Sequence, residues 1–225
     1  MMKTFLAGVV STLLLATAAQ AAEPIKIALI DPLSGPMASA GQPAYEHLKF
    51  AAERINANGG MNGHPVEIVG LDNKLSPQES LVQLQKAMDN GVDFITQGNG
   101  SSVASALIAG IEKHNRRNPG DERLFLNYAA VDPVFTNERC SFWHFRFDAN
   151  SDMKMNALTD YLAGQKEIKK VYLINQDYSH GRSVSAQARK MLKEKRPDIE
   201  VVGNDFHPLA KVKDFTPYIS KIQAS

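Results

Sequence analysis

A glycine- and serine-rich loop is the segment of this sequence with the clearest chemistry. This segment, called the serine loop below, is Gly98-Asn99-Gly100-Ser101-Ser102. It follows a short apolar run and precedes a predicted helix. The free amides of a helix's first turn carry partial positive charge, glycines let a ligand approach the backbone, and two hydroxyls add donors. The loop is therefore a candidate site for a carboxylate or phosphate. The alternative, equally compatible with the spacing, is that Ser101 or Ser102 only caps the helix.

A second loop with binding potential follows the next predicted strand. Its sequence is Tyr128-Ala129-Ala130-Val131-Asp132-Pro133. Ligands of open parallel sheets bind at the carboxyl ends of strands, so this loop and the serine loop are expected at the same edge. Tyr128 and the backbone from Ala129 and Ala130 to Val131 are candidates to line a cleft there. The alternative is an ordinary turn made by Asp132-Pro133.

A third loop of the same kind lies in the second half of the chain. Gln176-Asp177-Tyr178-Ser179-His180-Gly181 follows a predicted strand and precedes a predicted helix. Tyr178 and His180 offer rings and hydrogen-bonding groups to a trapped ligand, which suggests that they face the first two loops across a cleft. A capped helix start with exposed aromatic side chains is the alternative.

Signatures of catalysis and of cofactor binding are missing from the sequence. It contains no GxSxG, GxGxxG or GxxxxGK[ST] motif, and none of its six histidines pairs at metal-ligand spacing. Asp148 to Asp152 resembles half of a calcium loop, but Met153 and Thr159 occupy the positions that need Gly and Glu. We therefore predict no enzyme activity, no metal and no cofactor, and interpret that segment as a polar linker and helix cap.

Cys140 is the only cysteine, so no disulfide can form within this chain. We interpret it as a small buried hydrophobic residue. The other interpretation makes it half of a bridge to a partner outside this sequence.

Alternating apolar runs and helical periodicities predict where these loops sit. Strands are predicted at 25–30, 66–71, 92–96, 124–127, 142–147, 170–175 and 199–202, with helices between most of them. Such alternation predicts an α/β fold with a parallel sheet flanked by helices. We expect an N-terminal α/β lobe at residues 22–147 and a partial second α/β lobe at 148–225. Two strands make a small sheet, so we expect the natural protein to continue beyond this chain.

Two of the predicted helices have definite limits. Apolar residues at helical spacing predict one from about Pro43 to Asn58. The run Ser76-Pro77-x-Glu79 predicts the start of the next, with Ser76 as the cap, Pro77 at the first helical position and Glu79 completing a capping box. Its Leu81 and Leu84 are expected to face inward.

The N-terminal residues predict export. A basic start, an apolar run from Phe5 to Ala19, and Ala19-Gln20-Ala21 form a secretory signal peptide at residues 1–21, cleaved near Ala21. The apolar run is shorter than the ~20 residues needed to span a bilayer. The net charge of +1 leaves no basic field for nucleic acid, and a hydrophobic content of 44% suffices for a core.

Several motifs together resemble the branched-chain-amino-acid-type periplasmic binding proteins of ABC importers. They are Leu33-Ser34-Gly35-Pro36, the run Arg54 to Gly63 with its IN-x-x-GG-x-x-G pattern, the serine loop, Ala129-Ala130, and Gly181 after Asp177. The resemblance extends from Ile25 to the end of the chain. It implies a two-lobed protein that closes on an amino acid or related acid and delivers it to ABC permease membrane subunits.

The resemblance also implies roles for particular residues. The serine loop and the backbone at Ala129 would hold the ligand's carboxylate and amine, and other residues that contact the ligand would lie beyond Ser225. Val131, Ala40 and His47 stand where the family has threonine, an aromatic residue and glycine. These departures leave an aromatic or other organic acid open as the ligand beside a branched-chain amino acid. A sensory domain of the same fold for amides or aromatic acids, or a secreted α/β hydrolase, are the alternatives.

Overall fold

Two parallel β-sheets organise the chain in the computed structural model, which describes residues 22–225. The predicted signal peptide at residues 1–21 lies outside the described residues. The first sheet has five strands and the second has two. Helices pack on both sheets, so the predicted α/β fold with parallel strands is confirmed.

Strands and helices alternate along the chain, as the apolar periodicity predicts. The strands are β1 (Ile25–Asp31), β2 (Val66–Asp72), β3 (Phe94–Gln97), β4 (Leu124–Asn127), β5 (His144–Arg146), β6 (Lys170–Gln176) and β7 (Glu200–His207). The helices are α1 (Ala38–Ala57), α2 (Pro77–Asp89), α3 (Ser101–Arg117), α4 (Ser151–Gly164), α5 (Ser179–Lys195) and α6 (Thr216–Ala224). Short 3-10 turns occupy Gly35–Met37 and Pro133–Thr136.

The first sheet holds the main hydrophobic core. Its order is β2-β1-β3-β4-β5, and all neighbouring strands run parallel. Strands in such a sheet are covered on both faces and therefore read as continuous apolar runs. Ala28, Leu29 and Ile30 in β1 accordingly have no exposed surface. Apolar side chains of α2 and α3, including Leu84 and Leu107, pack into the same core.

The second sheet pairs β6 with β7, and α4 and α5 pack together beside it. β7 extends through His207, five residues beyond the predicted strand end at residue 202. The prediction stopped there because the residues that follow include polar ones. They remain in the strand because they have partners: Tyr172 Oη donates to Asp205 Oδ2 at 2.6 Å, and Asn175 Nδ2 donates to Asn204 Oδ1 at 2.9 Å.

Helix α1 begins five residues earlier than the predicted start at Pro43. Pro43 lies inside the helix, where its missing N–H removes one backbone hydrogen bond. Gly41 allows the early start, because it packs directly on Pro32, the first residue after β1. A Cβ at this position would lie 2.1 Å from the carbonyl oxygen of Pro32.

Helix α2 begins as predicted at Pro77, with Ser76 as its N-cap. Ser76 Oγ accepts from the Glu79 amide at 3.3 Å. The predicted capping box is only half formed, because the Glu79 carboxylate accepts from Gln83 Nε2 instead. Leu84 is buried as predicted, but Leu81 is 43% exposed, so its predicted inward orientation is wrong.

The segment from Cys140 to Asn150 corrects two further expectations. Cys140 is exposed, so its interpretation as a buried hydrophobic residue is wrong. The strand predicted at 142–147 shrinks to His144–Arg146, and Phe142 and Phe147 on either side of it are exposed. Asn150 caps α4 by accepting from the Met153 amide at 2.9 Å, which confirms the predicted helix cap. Within residues 22–225, none of the helices is both long enough and apolar enough to cross a membrane.

The Gly41 contact yields a stability prediction. We expect Gly41→Ala to lower the free energy of unfolding by ~1–3 kcal/mol, because two backbone segments must separate to admit the methyl group. Gly164→Ala is the matched control, since no atom lies within 4 Å of its added Cβ and alanine favours the helical conformation. Urea unfolding of both variants checks this. Equal stability of Gly41→Ala and the wild type would contradict the contact.

Candidate functional site

The carboxyl ends of β1, β3 and β4 meet at one edge of the first sheet. The order β2-β1-β3 places β2 and β3 on opposite sides of β1, so the chain direction across the sheet reverses there. Open α/β sheets bind ligands in the crevice outside such a reversal point. The loops after β1, β3 and β4 surround this crevice, and two of them are the loops that the sequence singled out.

The serine loop is shaped by Gly100 rather than by a serine cap. Gly100 is the N-cap of α3 and has a φ of 96°, a conformation that favours glycine. Ser101 and Ser102 are therefore the first two helical residues, and the interpretation of either as the N-cap is wrong. The first-turn amides of α3 have no partner within the helix, and no other group in the described part of the chain accepts from them. They remain available to an anion.

The loop after β4 is folded around the side chain of Asn127. Its Oδ1 accepts from the amides of Ala129 and Ala130 at 3.2 and 2.7 Å, and its Nδ2 donates to the Ala130 carbonyl at 2.7 Å. Asp132 Oδ1 then accepts from the Val134 amide at 3.2 Å, which makes the turn predicted at Asp132-Pro133. The Ala129 carbonyl is left without a partner among the hydrogen bonds of residues 22–225.

His144 supports Asn127 from behind the loop. Its ring packs against Phe125 and Phe135, with centroid distances of 5.3 and 6.0 Å. Its Nε2 lies 3.1 Å from Asn127 Nδ2, so Nε2 accepts a hydrogen bond and the ring proton belongs on Nδ1. Burial lowers the pKa of His144 to about 4, and the charge of Arg146 acts in the same direction.

The loop of the second lobe is close-packed at Gly181. A Cβ there would lie 1.9 Å from the Gln176 carbonyl oxygen, so only glycine fits. The rings of Tyr178 and His180 pack together, tilted by 52° with a centroid distance of 5.8 Å, and both residues are half-buried. The alternative of exposed aromatic side chains is therefore wrong. Burial lowers the pKa of His180, whose Nδ1 is buried without a partner in the described structure.

These three loops enclose a cleft of about 160 Å³ between the two sheets. Six of the eight predicted site residues line it: Ser101, Ala129, Ala130, Val131, Tyr178 and His180. Ser102 and Tyr128 do not line the cleft. The hydroxyl of Tyr128 instead donates to the buried carboxylate of Asp31.

Sequence reasoning missed several residues of the site. Met37, Leu75, Gln176 and Leu209 complete the apolar and polar lining of the cleft. Leu75 and Leu209 come from loops without a recognisable motif, so no signal identifies them in advance. The position of Asp31 did carry a signal, because a carboxylate ends an otherwise apolar strand, IKIALID.

A hydrogen bond already joins the two lobes beside the cleft, because Ser179 Oγ of the second lobe donates to Asp132 Oδ2 of the first at 3.0 Å. Within the second lobe, the hydroxyls of Ser151 and Ser183 lie 2.8 Å apart and link α4 to α5. Among the residues that the structure describes, no group of three or more His, Cys, Asp or Glu side chains could hold a metal ion. The chemistry that the cleft offers is binding by backbone amides, hydroxyls and aromatic rings.

The sequence matches one family along almost its whole length. The family model described as "Periplasmic binding protein" covers residues 24–225. The chain belongs to this family. The membership confirms the predicted kinship with branched-chain-amino-acid-type periplasmic binding proteins, because the curated relatives carry Leu/Ile/Val-binding names.

Individual relatives of this periplasmic binding protein support the assignment. Leu/Ile/Val-binding protein homolog 4 of Brucella abortus is 37% identical over 228 residues, which cover 100% of this chain and 54% of the relative. The closed structure of the leucine-, isoleucine-, valine-, threonine- and alanine-binding protein of Brucella ovis is 36% identical, with a TM-score of 0.74 over 90% of this chain and 52% of that one. The chain spans about half the length of the relatives that it matches.

A more distant solved structure shares the fold alone. The solute-binding protein of an ABC transporter from R. palustris, in complex with benzoate, has a TM-score of 0.75 at 19% identity, over 89% of this chain and 52% of that one. The similarity to these solved structures confirms the predicted two-lobed fold class. The matched relatives are solute-binding proteins, not enzymes.

The buried histidine behind the site yields a prediction about pH. Because the folded pKa of His144 is about 4 and lies below the unfolded value of about 6.5, its contribution to stability is complete above pH 6.5. It is lost as the pH falls through about 4. We expect His144→Gln to be less stable than the wild type at pH 7, with a difference that shrinks toward pH 4.

Urea unfolding at pH 7.0, 5.5 and 4.5 measures this difference, and comparing the variant with the wild type removes the contribution of carboxylates common to both. Exposed His47 provides the control, since His47→Gln should follow the wild type across the range. A constant difference between His144→Gln and the wild type would mean that His144 is not buried in its neutral form.

Proposed function

We propose that this protein is the extracytoplasmic solute-binding component of an ABC uptake transporter. It captures an amino acid of the branched-chain type, or a related small carboxylate, by closing its lobes around it. The observation that carries the proposal is the cleft in which the start of α3 faces Tyr178 and His180 from the other lobe. Family membership supports a binding role, and the predicted signal peptide supports a periplasmic location.

The acid group of the solute binds at the start of α3. Three first-turn amides, those of Ser101, Ser102 and Val103, carry the partial positive charge of the helix terminus and are free to donate. The Ser101 side chain is only 2% exposed yet lines the cleft, so its hydroxyl adds a donor inside a nearly dry site. Little solvent competition makes each of these hydrogen bonds stronger.

The remainder of the solute contacts the other walls. The amides of Ala129 and Ala130 are occupied by Asn127, so the free Ala129 carbonyl is the group that accepts from a ligand ammonium. Val131 supplies an apolar surface and His180 supplies a ring nitrogen without a partner. This lining suits an amino acid and an aromatic acid alike, because both present a carboxylate beside an apolar body.

The lobes meet at a hinge near Asp148, which divides residues 22–147 from 148–225. Arg146 lies just before this point and fixes the first-lobe side. Its Nε donates to the Asp148 carbonyl at 3.0 Å, and its Nη1 donates to the Asp132 carbonyl at 3.2 Å. The hydrogen bond from Ser179 to Asp132 then supports the closed state, because it spans the two lobes next to the cleft.

Closure traps the solute without transforming it. The site has no nucleophile paired with a base, and the exposed thiol of Cys140 lies outside the cleft. The closed protein presents a single surface for ABC permease membrane subunits to recognise. The function is therefore binding and delivery rather than catalysis.

A thermal-shift screen tests this function. We expect L-leucine, L-isoleucine, benzoate or 3,4-dihydroxybenzoate to stabilise the protein, by ~2.7 kcal/mol at a concentration 100 times the dissociation constant. L-leucinol, which lacks the carboxylate, is the matched control for the first compound. Absence of stabilisation by every small acid, amino or aromatic, would contradict the proposal.

A substitution test addresses the serine loop itself. Ser101→Ala should weaken binding of the acid by ~1–3 kcal/mol, the scale of a lost hydrogen bond to a charged group. Ser105→Ala lies one turn further along α3 and outside the cleft, so its affinity should match that of the wild type. Titration calorimetry measures both variants. Unchanged affinity in Ser101→Ala would remove the Ser101 hydroxyl from the site.

A further inference from the structure

Asp31 is a fully buried carboxylate that the binding scheme above does not use. It ends β1 at the reversal point of the sheet and has no exposed surface. No Lys, Arg or His within the described range forms a salt bridge with it. Burying a carboxylate costs free energy unless hydrogen bonds satisfy it. Moving any donor away from Asp31 is therefore unfavourable, and this keeps the donors in place.

The donors that satisfy Asp31 come from the two first-lobe loops of the cleft. Its Oδ1 accepts from the Asn99 amide at 3.1 Å, and its Oδ2 accepts from Asn99 Nδ2 at 3.1 Å. The Tyr128 hydroxyl also donates to Oδ2. Asn99 Nδ2 also donates to Tyr128 Oη at 3.2 Å, so the three side chains contact one another. Burial raises the pKa of Asp31, and the hydrogen bonds from Tyr128 and Asn99 oppose that rise.

The same contacts determine the shape of the serine loop. The Tyr128 ring covers Gly98 so closely that a Cβ there would lie 2.2 Å from the ring. Asn99 follows Gly98 and precedes Gly100, which is the N-cap of α3. A carboxylate that fixes Asn99 therefore also fixes the direction in which the first amides of α3 point.

We propose that Asp31 is a positioning residue for the solute's acid group, acting through Asn99 and Tyr128 to aim the start of α3 into the cleft. The proposal rests on the function proposed above and deepens it. Asp31 cannot touch the solute, because its carboxylate is inaccessible and absent from the cleft lining. Tyr128, which was predicted to line the cleft, acts from behind it.

The second lobe contains a matched control for this arrangement. Tyr172 covers Gly203 at the same 2.2 Å distance from an added Cβ, and its hydroxyl donates to Asp205. Tyr172→Phe therefore removes a tyrosine-to-aspartate hydrogen bond of the same kind, away from the cleft. Effects common to Tyr128→Phe and Tyr172→Phe are general effects of losing such a bond, and effects confined to Tyr128→Phe belong to the site.

Hydrogen exchange tests the positioning without any ligand. In Asp31→Asn and Tyr128→Phe, the hydrogen-bonded amides of Asn99 and Ala104, which donate to Asp31 and to the Gly100 carbonyl, should exchange about tenfold faster, the scale expected for a lost hydrogen bond to a charged acceptor. Exchange in α4 and α5 should be unchanged. Tyr172→Phe should instead affect β6 and β7 and leave the serine loop as in the wild type. Wild-type exchange of the serine loop in Asp31→Asn and Tyr128→Phe would overturn the proposal. Tyr128→Phe keeps the test decisive if Asp31→Asn does not fold.

Ligand preference tests whether the positioning serves the acid group. Dissociation constants are measured for L-leucine against L-leucinamide and for benzoate against benzamide. We expect the Asp31 and Tyr128 variants to bind the acid about tenfold more weakly, with a much smaller change for the amide. A merely structural role would weaken acid and amide in the same proportion, and that result would overturn the proposal.

The two experiments separate failure of this inference from failure of the proposed function. If no small acid stabilises the wild type in the thermal-shift screen, the proposed function fails, while the exchange of the serine loop still decides whether Asp31 positions it. If the wild type binds an acid and both variants keep its affinity and its preference over the amide, the function stands and the role of Asp31 is refuted.

Discussion

Parallel pairing of β1, β3 and β4 is the constraint on which the rest of the structure depends. Because neighbouring strands run in the same direction, all three end at one edge of the sheet. Each ends in a polar side chain with no exposed surface: Asp31, Gln97 and Asn127. Burying such groups is favourable only when they are hydrogen-bonded. The carboxyl edge of the apolar sheet is thus a polar rim formed by Asp31, Gln97 and Asn127. The hydrogen-bond partners of this rim lie in the loops that line the cleft.

Hydrogen bonds from the rim hold both the serine loop and the loop after β4 in shape. Asn127 folds the Ala129-Ala130 turn from within, and Asp31 holds Asn99 in the serine loop. Gln97 adds a hydrogen bond from its Nε2 to the Asn99 carbonyl. The groups left for a solute are therefore those that the rim does not occupy, mainly the first amides of α3 and the Ala129 carbonyl. Preorganisation of this kind reduces the free energy lost on ordering a site when the ligand binds.

Much of this architecture could be predicted from residue types. The order of strands and helices follows from apolar periodicity, and the helix start at Ser76-Pro77 follows from capping chemistry. The predicted start of α1 and the predicted end of β7 were wrong because tertiary contacts overrode local preference. Pro43 lies within α1 because Gly41 docks on the Pro32 carbonyl, and β7 continues through polar residues because Tyr172 and Asn175 pair with them.

The site could be predicted only in part, for a related reason. Six of the eight candidate residues chosen from motif spacing line one cleft. It could not show that the Tyr128 hydroxyl turns away toward Asp31, because the two residues lie 97 positions apart in the sequence. Likewise, Leu209 lines the cleft from a loop that no local pattern marks.

Helix α3 belongs to the proposed recognition site and to the hydrophobic core at once. Its inner face, which includes Val103, Leu107 and Ile111, is almost completely buried. A helix held in this way has little freedom to move as a body to suit one solute or another. The wall across the cleft is less constrained, because Tyr178 and His180 are only half-buried and can be exchanged at lower structural cost. An attempt to change the selectivity by design should therefore begin with this second-lobe wall.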